Sequence, residues 1–454
     1  MTLTTLLTYI TIAALGLTGV TAFLLNRRES LLMSFLQNFC GALFLFSGYV
    51  KAVDPLGTAY KMEQYFAEFE STFADTAMGF LAPMFPAMAE YSVAFSVIMI
   101  VLEIALGAAL IVGAWRKLTA WLFFGIVAFF TVLTGFTYLT GYVPSGVNFF
   151  DFGNWGEYAA TNMKVTDCGC FGDFLKLEPR TSFLKDIFLL APAIAFLVGS
   201  KKMHQLFTTG GRTVLVAGVA AVSLLYSMSN YVWDIPGQDF RPFKVGADVA
   251  AIQQAENDAA ANTTTLAYIL TNKASGEVRT IPTAEFLKVM GEYPQADWEY
   301  DTQVSEPTVA RTKISDFELS DTDGNNPVED LLVSPDYTFL IVAYKLKGEI
   351  GAWDADYIAK WTEDIAPVVS AAKANGHQVA AMTKYNDPTA IADFAKQIGA
   401  DYPFWTGDDI MLKTIIRSNP GVVLMKDGKI INKWHHKQLP AFEVIEAEDI
   451  VAKK

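Results

Sequence analysis

The chain has 454 residues, of which 52% are hydrophobic and only 18% are charged, and its formal net charge is −14. This composition is typical of a membrane protein, and the length allows two or three domains. The acidic excess lies almost entirely beyond residue 233, and neither half of the chain supplies a basic patch. A surface that binds nucleic-acid phosphates needs such a patch, so the composition excludes nucleic acid as a partner.

Six apolar segments before residue 234 each approach the roughly 20 residues that cross a bilayer. They are residues 4–25, 31–53, 92–114, 118–141, 182–199 and 213–233. Three short loops between them are rich in basic residues, namely Arg27 and Arg28, Arg116 and Lys117, and Lys201, Lys202 and Arg212. Because such loops stay on the cytoplasmic side, we expect a multi-pass protein of the bacterial inner membrane, surrounded by the lipid bilayer, with its N- and C-termini on the periplasmic side.

Beyond residue 235 the pattern changes from long apolar runs to a mixture of strands and helices. Residues 236–312 are predicted to form a linker, which includes the stretch AAIQQAENDAAANTTT, and a small α+β unit built on the strands LAYILTN and EVRTI. Residues 313–454 alternate strands with helices around apolar runs such as YTFLIVAY. Such alternation predicts an α/β domain with a central sheet.

Three motifs in the apolar half form a specific combination. They are FLFSGYVKAVDPLGTAYKMEQY, VLEIALGAALIVG and DCGCFGDFLKL. Together they resemble the DoxX/MauE group of small membrane proteins, and in particular DoxX-family proteins that continue through DFRPFKVG into an outer domain. The resemblance covers about residues 31–246. It implies a four-helix bundle in residues 31–200, with an extra span in residues 1–30 and a final span in residues 201–235, and a link to thiol or quinone redox chemistry.

The segment RSNPGVVLMKDGKI resembles the part of the thioredoxin-like fold that carries its cis-proline, which would be Pro420 here. The resemblance implies a thioredoxin-like domain in residues 313–454. That family places Cys-x-x-Cys after the strand YTFLIVAY, but this chain has KLKGEIGAWDADYIAKW there and no cysteine after residue 170. The domain therefore has no thiol chemistry of its own. Gly351, Trp353 and Pro420 are candidates for a groove that binds an extended client segment, and packing at the start of a helix is the alternative for the first two.

The loop DCGCFGD holds Cys168 and Cys170, separated by one glycine. A disulfide closed over so short a loop would be strained and easily reduced, which suits a redox relay. Against this, the neighbouring Asp167 and Asp173 do not favour a thiolate. The alternative is that Cys168 and Cys170 form a structural disulfide or are two thiols without a special role. It has the same weight as the redox relay. The four histidines lie elsewhere in the sequence, so we expect no metal site.

Glu103 lies near the middle of a predicted span, where an ionised carboxylate is costly and should face a partner or a cavity. Lys51 is its natural partner, with Asp54 close behind in the sequence. These residues predict a site inside the bundle that handles protons or binds a polar ligand. The alternative is an ion pair that only fixes the helices, or a protonated Glu103 bonded to a neighbour. Lys185 and Asp186, at the start of the fifth span, are expected to be solvated at the membrane interface.

Two functions are compatible with these features. In the first, the chain is a redox-associated accessory whose Cys168 and Cys170 cycle between thiols and a disulfide, while the cysteine-free domain docks a client. In the second, it is a non-enzymatic scaffold or assembly component of an envelope protein complex. Both make periplasmic or membrane proteins its partners. A quinone is the only cofactor that the resemblance suggests, and the sequence leaves open whether the chain is an enzyme.

Overall fold

The computed structural model of the chain describes residues 2–25, 30–165, 167, 169–305, 308–384 and 387–452. It divides into two compact units, Met1–Arg241 and Pro242–Lys454, which we call the membrane unit and the α/β unit. The finer domain boundaries given by the sequence stay predictions.

The membrane unit is built from long apolar helices. Its helices are α1 (Leu3–Leu25), α2 (Leu31–Val53), α3 (Pro55–Ala74), α4 (Met84–Glu90), α5 (Ser92–Val112), α6 (Arg116–Thr140), α7 (Pro179–Gly199) and α8 (Thr209–Met228), and α8 continues as a π-helical turn, Ser229–Trp233. Within the described residues, six of these helices are long and apolar enough to cross a membrane, which confirms a multi-pass membrane protein. The two others, α3 and α4, lie between the second and third of these spans.

Polar residues at the helix ends explain where these helices begin. Ser30 and Asp54 accept hydrogen bonds from the backbone N–H groups of Met33 and Gly57, and so cap α2 and α3. Pro55 occupies the first turn of α3, where its missing N–H has no helical partner in any case. Asp54 therefore belongs to a tight junction between two consecutive helices.

Glycines allow α2 and α5 to pack with their backbones in close approach. A Cβ atom placed on Gly41 would lie 2.8 Å from the carbonyl oxygen of Gly107, and one on Gly107 would lie 2.8 Å from that of Gly41. A Cβ atom placed on Gly48 would lie 2.5 Å from the side-chain Cγ1 atom of Ile104. Small residues at such contacts are typical of helix packing in membranes. They bring the two helices that carry Lys51 and Glu103 together.

The α/β unit begins with a helix and a small antiparallel sheet. The elements are α9 (Val249–Ala261), β1 (Thr265–Asn272), β2 (Val278–Pro282), α10 (Thr283–Val289) and β3 (Trp298–Val304), with the sheet order β2-β1-β3. Leu270, Phe286 and Tyr293 form its buried core. The stretch predicted as a linker is in fact helix α9. Asp248 caps this helix, and the buried Glu256 fixes it by accepting hydrogen bonds from the Thr312 backbone and side chain.

The remainder of the α/β unit surrounds a six-stranded sheet. Its elements are β4 (Leu319–Ser320), α11 (Val328–Val333), β5 (Thr338–Ala343), β6 (Gly348–Glu349), β7 (Ala352–Trp353), α12 (Ala355–Ala359), α13 (Ala366–Ala374), β8 (Gln378–Lys384), α14 (Pro388–Ile398), β9 (Phe404–Gly407), α15 (Asp409–Ile415), β10 (Gly421–Lys426), β11 (Lys429–His435) and α16 (Phe442–Ile445). The strand order is β11-β10-β5-β8-β9-β4. Strands β5, β8 and β9 are parallel, whereas β10 runs antiparallel to both β5 and β11.

The central strand of this sheet is buried along its whole length. Every residue of β5 is buried, and Ile341 pairs with Ala381 on one side and Val422 on the other. A strand covered on both faces reads as a continuous apolar run, which is what the sequence YTFLIVAY shows. The loop that follows it, residues 344–354, contains the short β6–β7 hairpin and ends at Asp354, which caps α12.

Candidate functional site

A buried ion pair joins α2 and α5 inside the membrane unit. The Nζ atom of Lys51 donates a hydrogen bond to Oε2 of Glu103 at 2.7 Å. Lys51 is 5% exposed and Glu103 is 2% exposed. The ammonium also lies 5.1 Å from the ring centroid of Phe130 on α6, a favourable cation–π distance. The structure therefore brings together two of the three polar residues that the sequence selected within the membrane.

The third, Asp54, is engaged at the junction between α2 and α3. Its carboxylate accepts the hydrogen bond from Gly57 N at 3.1 Å, and its own N–H donates to the backbone oxygen of Lys51. Asp54 therefore fixes the end of α2, the helix that carries Lys51. The Lys51 side chain donates its hydrogen bond to Glu103.

A second ion pair, at Lys185 and Asp186 of α7, lies inside the same bundle. Asp186 is 1% exposed; one carboxylate oxygen is bonded to Lys185 Nζ, and the other accepts a hydrogen bond from Thr134 Oγ1 at 3.0 Å. The expectation that these two residues are solvated at the interface is wrong for Asp186. Helix α7 packs along α6, and this packing turns Asp186 inward toward Thr134.

Both ion pairs line one small cavity. It has a volume of about 20 Å³, and its other lining residues are Leu43, Phe44, Ser47, Val127, Phe130, Cys170, Phe171 and Leu189. A cavity of this size holds about one water molecule, and the polar groups around it are the partners that a buried water needs. Two ammonium groups and two carboxylates leave the lining formally neutral, which reduces the cost of burying them.

Cys170 borders this cavity at the end of the loop from residue 141 to residue 178. It is partly buried, and its backbone oxygen accepts a hydrogen bond of 2.9 Å from Ser47 Oγ. Cys168 lies outside the described residues. Gly169 adopts a positive φ of +62°, and its N–H donates to Oδ1 of Asp167 at 3.1 Å. The loop thus places one of the two predicted redox residues against the buried charges.

The acidic neighbours of the cysteines are each matched by a lysine. Asp167 lies 3.3 Å from Lys61 of α3, and Asp173 lies 3.4 Å from Lys176. These contacts offset the negative charge that the sequence places beside the thiols. The third cysteine, Cys40, is fully buried in the apolar cluster of the bundle.

In the α/β unit, Gly351 and Trp353 share one partner. The backbone N–H of Gly351 and the indole Nε1 of Trp353 both donate to Oδ2 of Asp393 on α14, at 3.2 Å and 2.8 Å. Gly351 is exposed with a φ of +75°, and the Trp353 ring contacts Phe394 at a centroid distance of 5.0 Å. The carboxylate of Asp393 therefore fixes the shape of the loop after β5.

Pro420 lies at the start of β10, after a cis peptide bond, and is buried. Its neighbour Asn419 connects this segment to the loop after β5, because Asn419 Nδ2 donates to the backbone oxygen of Lys345 at 2.7 Å. The hydroxyl of Tyr357 on α12 also donates to Asn419 Oδ1, at 3.3 Å. The segment that carries Pro420 and the loop that carries Gly351 and Trp353 are thus in contact, while their role in binding a client stays a prediction.

Sequence reasoning missed the participation of Asp186, Lys185, Ser47 and Thr134. For Lys185 and Asp186 the sequence signal was ambiguous, since charges near the start of a span can be solvated at the interface or paired inside the bundle. Ser47 and Thr134 gave no such signal, because hydroxyl residues are common in membrane helices. Among the described residues, no group of three or more His, Cys, Asp or Glu side chains is arranged to hold a metal ion.

Comparison with known proteins gives one family. Residues 29–145 match the family model described as methylamine utilisation protein MauE. This range is about a quarter of the chain; it includes Lys51, Asp54 and Glu103 and ends before the cysteine loop. No curated protein and no solved structure matches the chain. The chain is therefore a multi-pass membrane protein that is MauE-like over residues 29–145.

Proposed function

We propose that this chain is a redox-associated accessory protein of the bacterial inner membrane, in which Cys168 and Cys170 exchange disulfides with a client protein. The matched family is described as methylamine utilisation protein MauE, so a membrane accessory role in methylamine utilisation is the coarse form of the proposal. The observation that carries the finer form is the position of Cys170 beside a cavity lined by two ion pairs.

The exchange would follow ordinary thiol–disulfide chemistry. A client thiolate attacks one sulfur of the Cys168–Cys170 disulfide, a mixed disulfide forms, and the other cysteine leaves as a thiolate. A second client thiolate then displaces the first cysteine. The client is oxidised to a disulfide, the pair is reduced to two thiols, and two protons pass from the client thiols to the pair. Lys51, Glu103, Lys185 and Asp186 would hold a water and protons near Cys170.

The remaining parts of the chain are assigned as follows. We propose a DoxX-like bundle with both termini on the periplasmic side, so that the cysteine loop and the α/β unit face the same compartment. The order of β5, β8, β10 and β11 and the motif around Pro420 support a thioredoxin-like domain in residues 313–454. That domain docks the client through Gly351, Trp353 and Pro420. A quinone bound in the bundle is the electron partner that we propose for the cysteine pair.

Alkylation of the cysteines followed by mass spectrometry tests this proposal. Membranes that contain the full chain are treated with dithiothreitol or with oxidised glutathione, and accessible thiols are then blocked. We expect Cys168 and Cys170 to change together between alkylated and protected states, with the buried Cys40 as the internal reference. If both cysteines keep one state under every condition, the relay is refuted.

A non-enzymatic scaffold is the second candidate, and one observation favours it. All three cysteines precede residue 171, so the α/β unit offers a large acidic surface without any thiol. A scaffold should still co-purify with its partners from mild detergent when Cys168 and Cys170 are both changed to Ser, and it should lose them when residues 313–454 are deleted. The redox accessory should instead lose client oxidation in the double Ser variant.

A further inference from the structure

A second cavity in the membrane unit has a basic lining. It has a volume of about 390 Å³ and lies where the segment between α7 and α8 meets the ends of α1, α2 and α6. Arg116, Lys202 and Arg212 contribute three positive charges to it, and no Asp or Glu is among the described residues that line it. Such a concentration of one charge favours an anionic occupant.

The bonds that hold these cations go to neutral acceptors. Arg116 donates to the backbone oxygens of Lys201 at 3.0 Å and Met203 at 3.4 Å. Arg212, which is 8% exposed, donates to the backbone oxygens of Phe207 and Leu206 at 2.8 Å and 3.1 Å. In the described part of the chain neither arginine forms an ion pair, and Lys202 forms none either. Among the described residues no carboxylate neutralises these charges.

His204 also lines this cavity, although its Nδ1 atom is enclosed and has almost no exposed surface. It is 8% exposed, and its Nε2 atom lies 2.7 Å from the backbone oxygen of Ile111. A carbonyl oxygen only accepts, so Nε2 carries the proton, and burial lowers the pKa of His204, which favours the neutral ring. Its Nδ1 atom is then an acceptor, and no donor reaches it from the described residues.

The frame around His204 is rigid. Its N–H donates to Oε1 of Gln37 at 2.8 Å, and the amide of Gln37 donates in turn to the backbone oxygen of Leu110 at 3.0 Å. Trp115 and Phe207, which stand near the two arginines in the sequence, have positive φ values of 37° and 56°. Non-glycine residues keep such backbone conformations only where the surroundings impose them, and they cluster at functional sites. These contacts hold His204 and the backbone beside the two arginines in place.

We propose that this pocket binds a phosphate group, with Arg116, Lys202 and Arg212 holding the phosphate oxygens. An anionic phospholipid headgroup such as that of phosphatidylglycerol supplies such a group, and so does inorganic phosphate. Basic pockets between membrane helices are suited to lipid headgroups. Trp115 and Phe207 are exposed beside the pocket, as aromatic side chains are at membrane interfaces.

The test uses the full-length protein in detergent, titrated with phosphatidylglycerol or with inorganic phosphate and followed by native mass spectrometry and by the shift in thermal midpoint. The double variant Arg116→Gln, Lys202→Gln should bind about thirtyfold more weakly, given the usual contribution of each basic residue near an anionic lipid surface. Lys117→Gln is the matched control, because Lys117 is the exposed neighbour of Arg116 and does not line the pocket. It should bind as the parent does.

The titrations distinguish a lipid site, a site for free phosphate and a general basic surface. Saturable binding of phosphatidylglycerol that only the double variant weakens supports the proposal with a lipid as the source. Saturable binding of inorganic phosphate alone, with the same dependence on the variants, supports the site and assigns it to free phosphate. If neither ligand saturates, or if Lys117→Gln weakens binding as much as the double variant, the charges act only as a general basic surface and the proposal is overturned. A wild-type thermal midpoint in the absence of ligand shows that the double variant is folded.

Discussion

The Nζ atom of Lys51 lies 2.7 Å from Oε2 of Glu103, although 52 positions separate the two residues in the sequence. Both side chains are buried, so each charge depends on the other. Removing one partner of such a pair leaves an uncompensated charge in an apolar environment, whereas removing both does not.

Changing Lys51 to Met should therefore lower the free energy of unfolding by about 3–5 kcal/mol. The double variant Lys51→Met, Glu103→Met should lose much less of its free energy of unfolding, because neither charge then stays buried without a partner. Thermal unfolding of the detergent-solubilised protein measures both. Lys164→Met is the control, since Lys164 is 67% exposed in its contact with Glu68 and such pairs contribute about 1 kcal/mol or less. Equal losses in the single and double variants would contradict the interpretation.

Changing Gly107 to Ala should destabilise the membrane unit by about 1–3 kcal/mol. The new Cβ would lie 2.8 Å from Gly41 O and 2.9 Å from Leu45 N, and both atoms belong to the backbone of α2. Gly125→Ala on α6 is the matched control, because nothing lies within 4 Å of its added Cβ. In that position alanine should stabilise the helix by about 0.5–1 kcal/mol. A normal thermal midpoint for Gly107→Ala would show that α2 and α5 do not pack this closely.

The α/β unit should lose stability as the pH falls below about 6.5, in part through His436. Burial lowers the pKa of His436, and the cations of Lys360 and Lys437 act in the same direction, whereas Asp364, 2.6 Å from Nδ1, opposes them. The unfolded chain therefore binds this proton more tightly than the folded chain. The stability that neutral His436 contributes is fully present above pH 6.5, the ordinary pKa of histidine. It is lost as the pH falls toward the lowered pKa of the folded state.

One proton of this kind changes the free energy of unfolding by up to about 1.4 kcal/mol per pH unit. Thermal midpoints between pH 5 and 7.5 should fall less steeply in His436→Gln than in the parent. Asp364→Asn should have the opposite effect, because it removes the group that raises the pKa and so widens the range over which stability is lost. Parallel profiles in all three proteins would exclude His436 as a source of acid sensitivity.

Changing Asp393 to Ala should loosen the loop after β5. Two donors, Gly351 N and Trp353 Nε1, lose their shared carboxylate, which should cost about 1.5–3 kcal/mol and shift the fluorescence of Trp353 to longer wavelength. Asp401→Ala is the control, because Asp401 is 73% exposed and its ion pair with Lys373 contributes little. If the loop is part of a client groove, client capture should fall in Asp393→Ala and persist in Asp401→Ala.

Features that depend on the chain's own hydropathy were predictable from sequence. Apolar runs of membrane length gave the six long helices, because a span has to cover the hydrocarbon core whatever its neighbours are. The Lys51–Glu103 pair could be expected on the same basis, since a carboxylate deep in a span needs a cation. The burial of Asp186 could not be expected from sequence, because a charge near the start of a span can also lie at the membrane interface. Only the packing of α7 on α6 decides between the two.

Helix α9 shows a second limit of prediction from sequence. Its alanines, glutamines and asparagines resemble a flexible connection in composition, yet alanine is also the best helix former. The decisive features are the cap supplied by Asp248 and the contacts of Glu256 with Thr312, more than 50 positions away. Tertiary contacts of this kind leave no local trace in the sequence.

The contact between Gly41 and Gly107 also sets the distance that the buried charges have to bridge. Lys51 is ten residues beyond Gly41, which corresponds to about 15 Å along α2. Gly48, only three residues before Lys51, leaves room for Ile104 in the same interface, so α2 and α5 stay close along this whole stretch. A short side chain such as that of Glu103 can therefore reach the ammonium group directly, and a larger residue at either glycine would widen the gap between the two charges.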